Sequence, residues 1–85
     1  MILVYDTAEE RNPKILKICR KYLHWTQRSV FHGELSIAQY RELMHALASA
    51  IDPAYDSIIT YATRSPNMIE TSTLGTTLGG PGDII

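Results

Sequence analysis

The hydrophobic pattern of this 85-residue chain changes its period several times in a fixed order. An apolar run at residues 1–5 favours a buried strand, and apolar residues with helical spacing follow over 11–23. A β-prone stretch over 24–35 precedes a second helix that begins at Ser36, and another strand follows over 56–63. Two helices are too few to cover both faces of a sheet, so we predict that both pack on one face of an antiparallel sheet.

This order predicts an α+β fold, a ferredoxin-like βαββαβ sandwich, over residues 1–63. The stretch 24–35 could form one bent strand or two short strands that join near Arg28. Residues 64–85 are predicted to be a C-terminal extension with a short strand over 68–71 and an apolar end that needs a docking surface. The uncovered sheet face of so small a protein favours a dimer.

Two capping-box sequences predict where the helices begin. Thr7 and Glu10 precede the first helix, and Pro13 is tolerated only in a first helical turn, so this helix is expected to begin next to it. Ser36 and Gln39 form the same pattern before the second helix.

Composition narrows the class of protein. No apolar run reaches the ~20 residues of a membrane helix. The segment 1–6 lacks the basic region of a signal peptide, so we expect a cytoplasmic protein without a membrane span. The single cysteine, Cys19, excludes an internal disulfide and fits a reducing compartment. Cys19 and the three histidines do not match a zinc spacing.

The basic residues are concentrated in one segment, although the net charge of the chain is only −1. Six of the eight lysines and arginines lie between residues 11 and 28, where there is no acidic residue. Clustered cations on a helix face can contact phosphates without sequence preference, and the alternative is a solvated helix face. The candidate nucleic-acid contacts are Arg11, Lys14, Lys17, Lys21 and Arg28.

Asp6, at the end of the first strand, is the candidate for metal ligation. In a two-fold dimer, two copies of Asp6 could face each other and hold Mg²⁺ together with water molecules. Such a metal would lower the pKa of water for attack on a phosphodiester. The alternative is that Asp6 caps the helix that follows it.

Three other residues near Arg28 are candidates for function. Trp25 and Phe31 could stack on bases, but aromatic side chains in strands of small proteins are more often buried, so both are predicted to lie in the core. Ser29 has no evident base beside it, which favours a turn hydroxyl over a nucleophile.

Four segments in this order resemble the CRISPR-associated protein 2 family, the small subunit of the machinery that acquires CRISPR spacers. The segments are Val4-Tyr5-Asp6, the helix over 14–23, the stretch over 25–35 and the strand over 56–61. The string Gln-x-Ser-Val-Phe with an upstream Tyr-Asp is the most specific part of this resemblance.

The resemblance implies a ferredoxin-like homodimer whose C-terminal strand pairs with the partner's sheet. It implies an Mg²⁺-dependent endonuclease acting on single-stranded RNA or double-stranded DNA, with Asp6 of each subunit as metal ligand. Tyr5, Ser29 and Phe31 match supporting positions of the family motif, and Arg11 is a weaker match. The family also assembles with the CRISPR-associated protein 1 integrase, which performs the chemistry of spacer insertion in antiviral defence.

Three functions therefore remain open from the sequence. The chain could be a metal-dependent endonuclease, or a non-catalytic scaffold that holds DNA and bridges integrase dimers. One carboxylate per chain with no obvious general base slightly favours the scaffold. A small interaction domain is the third possibility. Many relatives have a basic residue at the position of Trp25 and a glutamate at that of His32.

Overall fold

The structure is a computed structural model that describes residues 1–65 and 68–76. The described residues form five strands and two helices. The strands are β1 (Ile2–Asp6), β2 (His24–Gln27), β3 (Val30–His32), β4 (Ser57–Ser65) and β5 (Met68–Gly75), and the helices are α1 (Asn12–Arg20) and α2 (Ile37–Ala50). The strand order is β2-β3-β1-β4-β5, and all neighbouring strands are antiparallel.

Both helices pack on the same face of this sheet, as predicted. Leu3 and Tyr5 of β1 share a buried cluster with residues of α1 and α2, because alternate residues of a strand point to one face. The predicted α+β, ferredoxin-like fold is therefore confirmed. The buried core consists of Leu3, Tyr5, Ile15, Cys19, Leu23, Phe31, Leu43, Leu47 and Ile58.

The two capping-box predictions had different outcomes. At α2, the Gln39 amide donates to the Ser36 hydroxyl oxygen (3.1 Å) and the Ser36 amide donates to Gln39 Oε1 (3.0 Å), as predicted. The Thr7 box is wrong, because a short 3₁₀ turn over Glu9–Arg11 precedes α1 and the Thr7 hydroxyl donates to Asn12 Oδ1 instead.

The β-prone stretch forms two short strands rather than one bent strand. Arg28 lies in the turn between β2 and β3 with φ 41°, a left-handed conformation that is uncommon for residues other than glycine. The strand predicted over 68–71 continues to Gly75 and pairs with the whole length of β4. The predicted docking of the C-terminal isoleucines lies outside the described residues.

The described residues leave the other face of the sheet open. Its side chains alternate with the core residues along each strand and include exposed apolar groups, since Ile2 is 47% and Ile69 68% exposed. The apolar residues of this open face are Ile2, Val4, Val30, Ile59, Tyr61 and Ile69. Within the described ranges, neither helix is long and apolar enough to cross a membrane.

Candidate functional site

Asp6 is the exposed last residue of β1, which lies between β3 and β4 in the sheet. Because it follows the buried Tyr5, its side chain belongs to the open face, opposite Ser57 of β4. Asp6 does not cap the following helix, since Ala8 and Arg11 occupy the two N-cap positions and neither cap is closed by a side chain in the described structure. The capping alternative is therefore wrong, and the carboxylate faces solvent.

The residues of the family motif hold the end of β1 beside the β2–β3 turn. The Tyr5 amide donates to the Ser29 carbonyl oxygen (3.1 Å), and the Tyr5 ring stacks on Phe31 with 6.2 Å between ring centroids. Burial raises the pKa of the Tyr5 hydroxyl, so it stays protonated at neutral pH. As predicted, Phe31 is a core residue. The turn places Arg28 at the same end of the sheet as Asp6.

Asp56, which the sequence analysis missed, fixes the loop that leaves Asp6. Its fully buried carboxylate accepts hydrogen bonds from the backbone amides of Ala8 and Asp52, both at 2.8 Å. It also accepts from Arg11 Nε (2.5 Å) and Arg11 Nη2 (3.0 Å). The bonds from the Arg11 guanidinium lower the pKa of the Asp56 carboxyl to about 2, so it is ionised throughout the physiological range.

Asp56 also fixes the end of β5 through its backbone. The Thr76 amide donates to the Asp56 carbonyl oxygen (2.8 Å). Gly75 has φ 81°, and a Cβ atom at this position would lie 2.1 Å from the same oxygen. Only glycine fits this close approach. The loop after β1, the turn after α2 and the end of β5 therefore meet at one residue.

Arg11 forms an ion pair within the chain that the sequence analysis did not predict. Its guanidinium is engaged by Asp56 and lies 5.9 Å from the centroid of the Tyr55 ring. Its predicted contact with nucleic acid stays a prediction, but a guanidinium in this bidentate pair is less available to phosphate than an unpaired one. The sequence gives only a weak indication of this pair, because 45 residues separate Arg11 from Asp56.

The α1 basic face is formed by the exposed side chains opposite the buried Ile15 and Cys19. Its members are Lys14, Lys17, Arg20 and Lys21. This face lies on the side of α1 opposite the buried residues that contact the core. Arg28, in the turn between β2 and β3, adds a further positive charge at the Asp6 end of the sheet. Burial raises the pKa of the Cys19 thiol to about 12, which makes Cys19 an inert core residue.

Trp25 is 51% exposed, so the prediction that it belongs to the core is wrong. The residue lies on β2, an edge strand whose four residues are all exposed and whose register with β3 is irregular after Trp25. Its ring packs under the Arg20 guanidinium, 5.3 Å from the ring centroid, and its indole N–H donates to the Arg28 carbonyl oxygen (2.8 Å).

The described part of one chain does not assemble a complete metal site. Among residues 1–65 and 68–76, no three His, Cys, Asp or Glu side chains come together as metal ligands. Mg²⁺ prefers carboxylate oxygens and retains several water molecules, so one or two carboxylates can hold it. Asp6 fits this requirement if a second copy supplies another carboxylate, and its place on the open apolar face allows that.

Comparison with known proteins identifies the family. Residues 1–69 match the family model of CRISPR associated protein Cas2. A CRISPR-associated endoribonuclease Cas2 from Frankia alni is 59% identical over 85 residues, which span 100% of this chain and 98% of the relative. The relative of the same name from Thermotoga maritima is 44% identical over 99% of this chain and 97% of its own length.

A solved structure supports the same assignment. It is described as a crystal structure of cas2, with a TM-score of 0.60 and 32% identity, and the match covers 86% of this chain and 70% of that one. The family residues of the sequence analysis thus lie within a matching fold. The chain belongs to the CRISPR associated protein Cas2 family.

Proposed function

We propose that this chain is an endoribonuclease of CRISPR spacer adaptation that acts as a homodimer, with Asp6 of each subunit in one shared site. The observation that carries the proposal is the exposed carboxylate of Asp6 on the open apolar sheet face. Membership in the family supports the adaptation role, and relatives named endoribonucleases support the cleavage of RNA. Double-stranded DNA is the second substrate class to test.

The open face supports the homodimer. Six apolar side chains lie on one uncovered surface, and burying them against a second copy removes them from water. A two-fold axis brings identical residues of the two copies to matching positions. If this axis passes near the end of β1, the two Asp6 carboxylates face each other. Two carboxylates that face each other at close range repel each other, and this repulsion favours a cation between them.

The chemistry of Asp6 fits Mg²⁺ in such a dimer, with one carboxylate from each copy. When bound, the metal would polarise a phosphodiester oxygen and lower the pKa of water for attack. The residues of the chain do the rest. The α1 basic face and Arg28 hold the phosphate backbone, and the hydrogen bond between Tyr5 and Ser29 holds the strand end that carries Asp6.

A non-catalytic role has one observation in its favour. Each chain offers Asp6 without a cluster of further ligands in its described residues, so cleavage depends entirely on the dimer. The second proposal is therefore a scaffold that holds DNA on its basic faces and bridges dimers of the CRISPR-associated protein 1 integrase. In that role, spacer insertion by the integrase would survive the loss of Asp6.

Cleavage of labelled nucleic acid tests the proposed function. We expect the purified protein to cut single-stranded RNA with Mg²⁺ and to lose all cutting with EDTA, because the cation supplies the charge stabilisation. Parallel reactions with double-stranded DNA identify the preferred substrate. Equal cutting with and without the metal would contradict the metal-dependent site, and no cutting in either reaction would contradict the enzyme and leave the scaffold.

Charge reversal on the α1 basic face tests its contact with phosphate. The double variant Lys14→Glu and Lys17→Glu is expected to bind nucleic acid more weakly, with a plot of log affinity against log salt that is shallower by about 2. Each lost lysine contact releases one counterion less. Arg41→Glu is the matched control, since this exposed cation lies on α2. An unchanged slope in the double variant would rule out both lysines as phosphate contacts.

A further inference from the structure

Trp25 is the one tryptophan of the chain, and it is held in place at the surface by two arginines. The Arg20 guanidinium lies 5.3 Å from its ring centroid, and the Arg28 carbonyl oxygen accepts its indole N–H at 2.8 Å. The indole N–H thus has a hydrogen-bond partner and the ring is held in one orientation, yet Trp25 is 51% exposed. A rigid, exposed aromatic ring is a surface on which a flat ligand can stack.

The charges around the ring indicate which flat ligand fits. Trp25 lies between the α1 basic face and the Arg28 turn, and residues 11–28 contain no acid. An anionic ligand with flat apolar rings is favoured by this environment, and a nucleic-acid strand combines both properties. The exposed Tyr55 offers a useful contrast, because it also lies near an arginine but is surrounded by Glu9, Glu10 and Asp52.

Arg28 gives an independent reason to assign a function to this cluster. Its φ of 41° is a left-handed conformation that glycine and asparagine adopt at a lower energy cost. An arginine side chain does not stabilise this backbone conformation, and the hydrogen bond from the Trp25 indole helps to hold the turn. The reason for an arginine at this position therefore lies in its side chain, which is exposed at the end of the sheet that carries Asp6.

We propose that Trp25 stacks on an unpaired base of single-stranded nucleic acid while Arg20 and Arg28 hold the phosphates on either side. This inference rests on the proposed function, because it names the form of nucleic acid that approaches the Asp6 site. In a duplex the bases are already stacked and paired, so only the phosphate backbone meets the protein. An unpaired base can leave its neighbours and use the ring. The cluster therefore distinguishes single strands from duplexes.

The fluorescence of Trp25 is a direct measurement of this contact, because no other tryptophan contributes. The protein is titrated in EDTA with a single-stranded RNA, a single-stranded DNA of the same sequence and the blunt DNA duplex. Binding is followed in parallel by the anisotropy of a label on each oligonucleotide. We expect both single strands to quench the tryptophan as they bind, and the duplex to bind without quenching.

Variants separate stacking from charge. Trp25→Ala is expected to bind the single strands about tenfold or more weakly while its affinity for the duplex is unchanged. Trp25→Phe retains an aromatic face and is expected to recover most of the loss. Tyr55→Ala is the matched control and is expected to bind like the wild type. The ratio of affinities between wild type and Trp25→Ala stays constant between low and high salt, because an indole releases no counterion.

The possible results separate this inference from the proposed function. Single strands that bind without quenching, or a Trp25→Ala protein that binds them as tightly as the wild type, would overturn the stacking role and leave the proposed function intact. Quenching by single strands in a protein that never cuts them would support the stacking role and contradict the nuclease. Equal loss of affinity for single strands and the duplex would assign Trp25 a role in folding and overturn the proposal. Thermal melting of each variant checks the fold.

Discussion

The variant Asp6→Asn is expected to cut nucleic acid at least about 100-fold more slowly than the wild type. The amide keeps the shape of the side chain but removes the negative charge that would attract a cation between two subunits. Asp6 is exposed, so its loss should leave the fold and the binding of nucleic acid unchanged. The initial rate of RNA cleavage at saturating Mg²⁺ measures the effect, and anisotropy checks binding.

Glu9→Gln is the matched control for this prediction. Glu9 is also an exposed carboxylate, it lies three residues beyond Asp6, and it is not part of the proposed site. This variant removes one negative charge near the same strand end, so it should cut RNA at the wild-type rate. Equal rates for Asp6→Asn and the wild type would show that Asp6 does not take part in cleavage.

The variant Asp56→Asn is expected to lose about 2–4 kcal/mol of unfolding free energy. Each carboxylate oxygen of Asp56 accepts two hydrogen bonds, from Ala8 and Arg11 on one side and from Arg11 and Asp52 on the other. The asparagine amide would turn its NH₂ group toward two of these donors and leave the Arg11 charge without its partner. Urea unfolding at a fixed protein concentration measures the loss.

Asp52→Asn is the control, because Asp52 is exposed and, among the described residues, its side chain accepts a hydrogen bond from the Ala54 amide (3.0 Å), which an asparagine oxygen can also do. This variant should change the unfolding free energy by less than about 1 kcal/mol. Similar losses in Asp52→Asn and Asp56→Asn would contradict the role of the buried carboxylate.

The pH dependence provides a second measurement of the Asp56 pair. The folded pKa of Asp56, about 2, lies below its ordinary value of 3.8, so the folded protein favours the ionised form. The stabilisation is therefore fully present above pH 3.8 and is lost as the pH falls toward 2. The difference in unfolding free energy between the wild type and Asp56→Asn should shrink over this range. A difference that stays constant would show that the charge of Asp56 does not stabilise the fold.

Local patterns were sufficient to predict most of the fold. The change from apolar and β-prone runs to helical spacing located both helices, and the Ser36 and Gln39 pair located the beginning of α2 correctly. These signals depend on residues that are neighbours in sequence, so one chain is enough to detect them. The place of Asp6 at the end of the first strand follows from the same pattern.

The features that the sequence analysis missed depend on contacts between distant residues. Asp56 takes the Ala8 amide and the Arg11 side chain from a loop 45 or more residues away, and Thr7 does not cap α1. Trp25 was expected in the core because of its residue type, but the order of the strands places it at the sheet edge beside Arg20. Strand order and register decide both outcomes, and neither is written in a local pattern.

Mixing wild-type and Asp6→Asn subunits tests most directly whether two Asp6 carboxylates form one site. The subunits are combined in equal amounts, allowed to exchange, and assayed for Mg²⁺-dependent RNA cleavage against the same total amount of wild-type protein. If each site needs both carboxylates, only dimers of two wild-type subunits cut, and about one quarter of the activity remains. If about one half remains, each Asp6 acts on its own and the shared site is wrong.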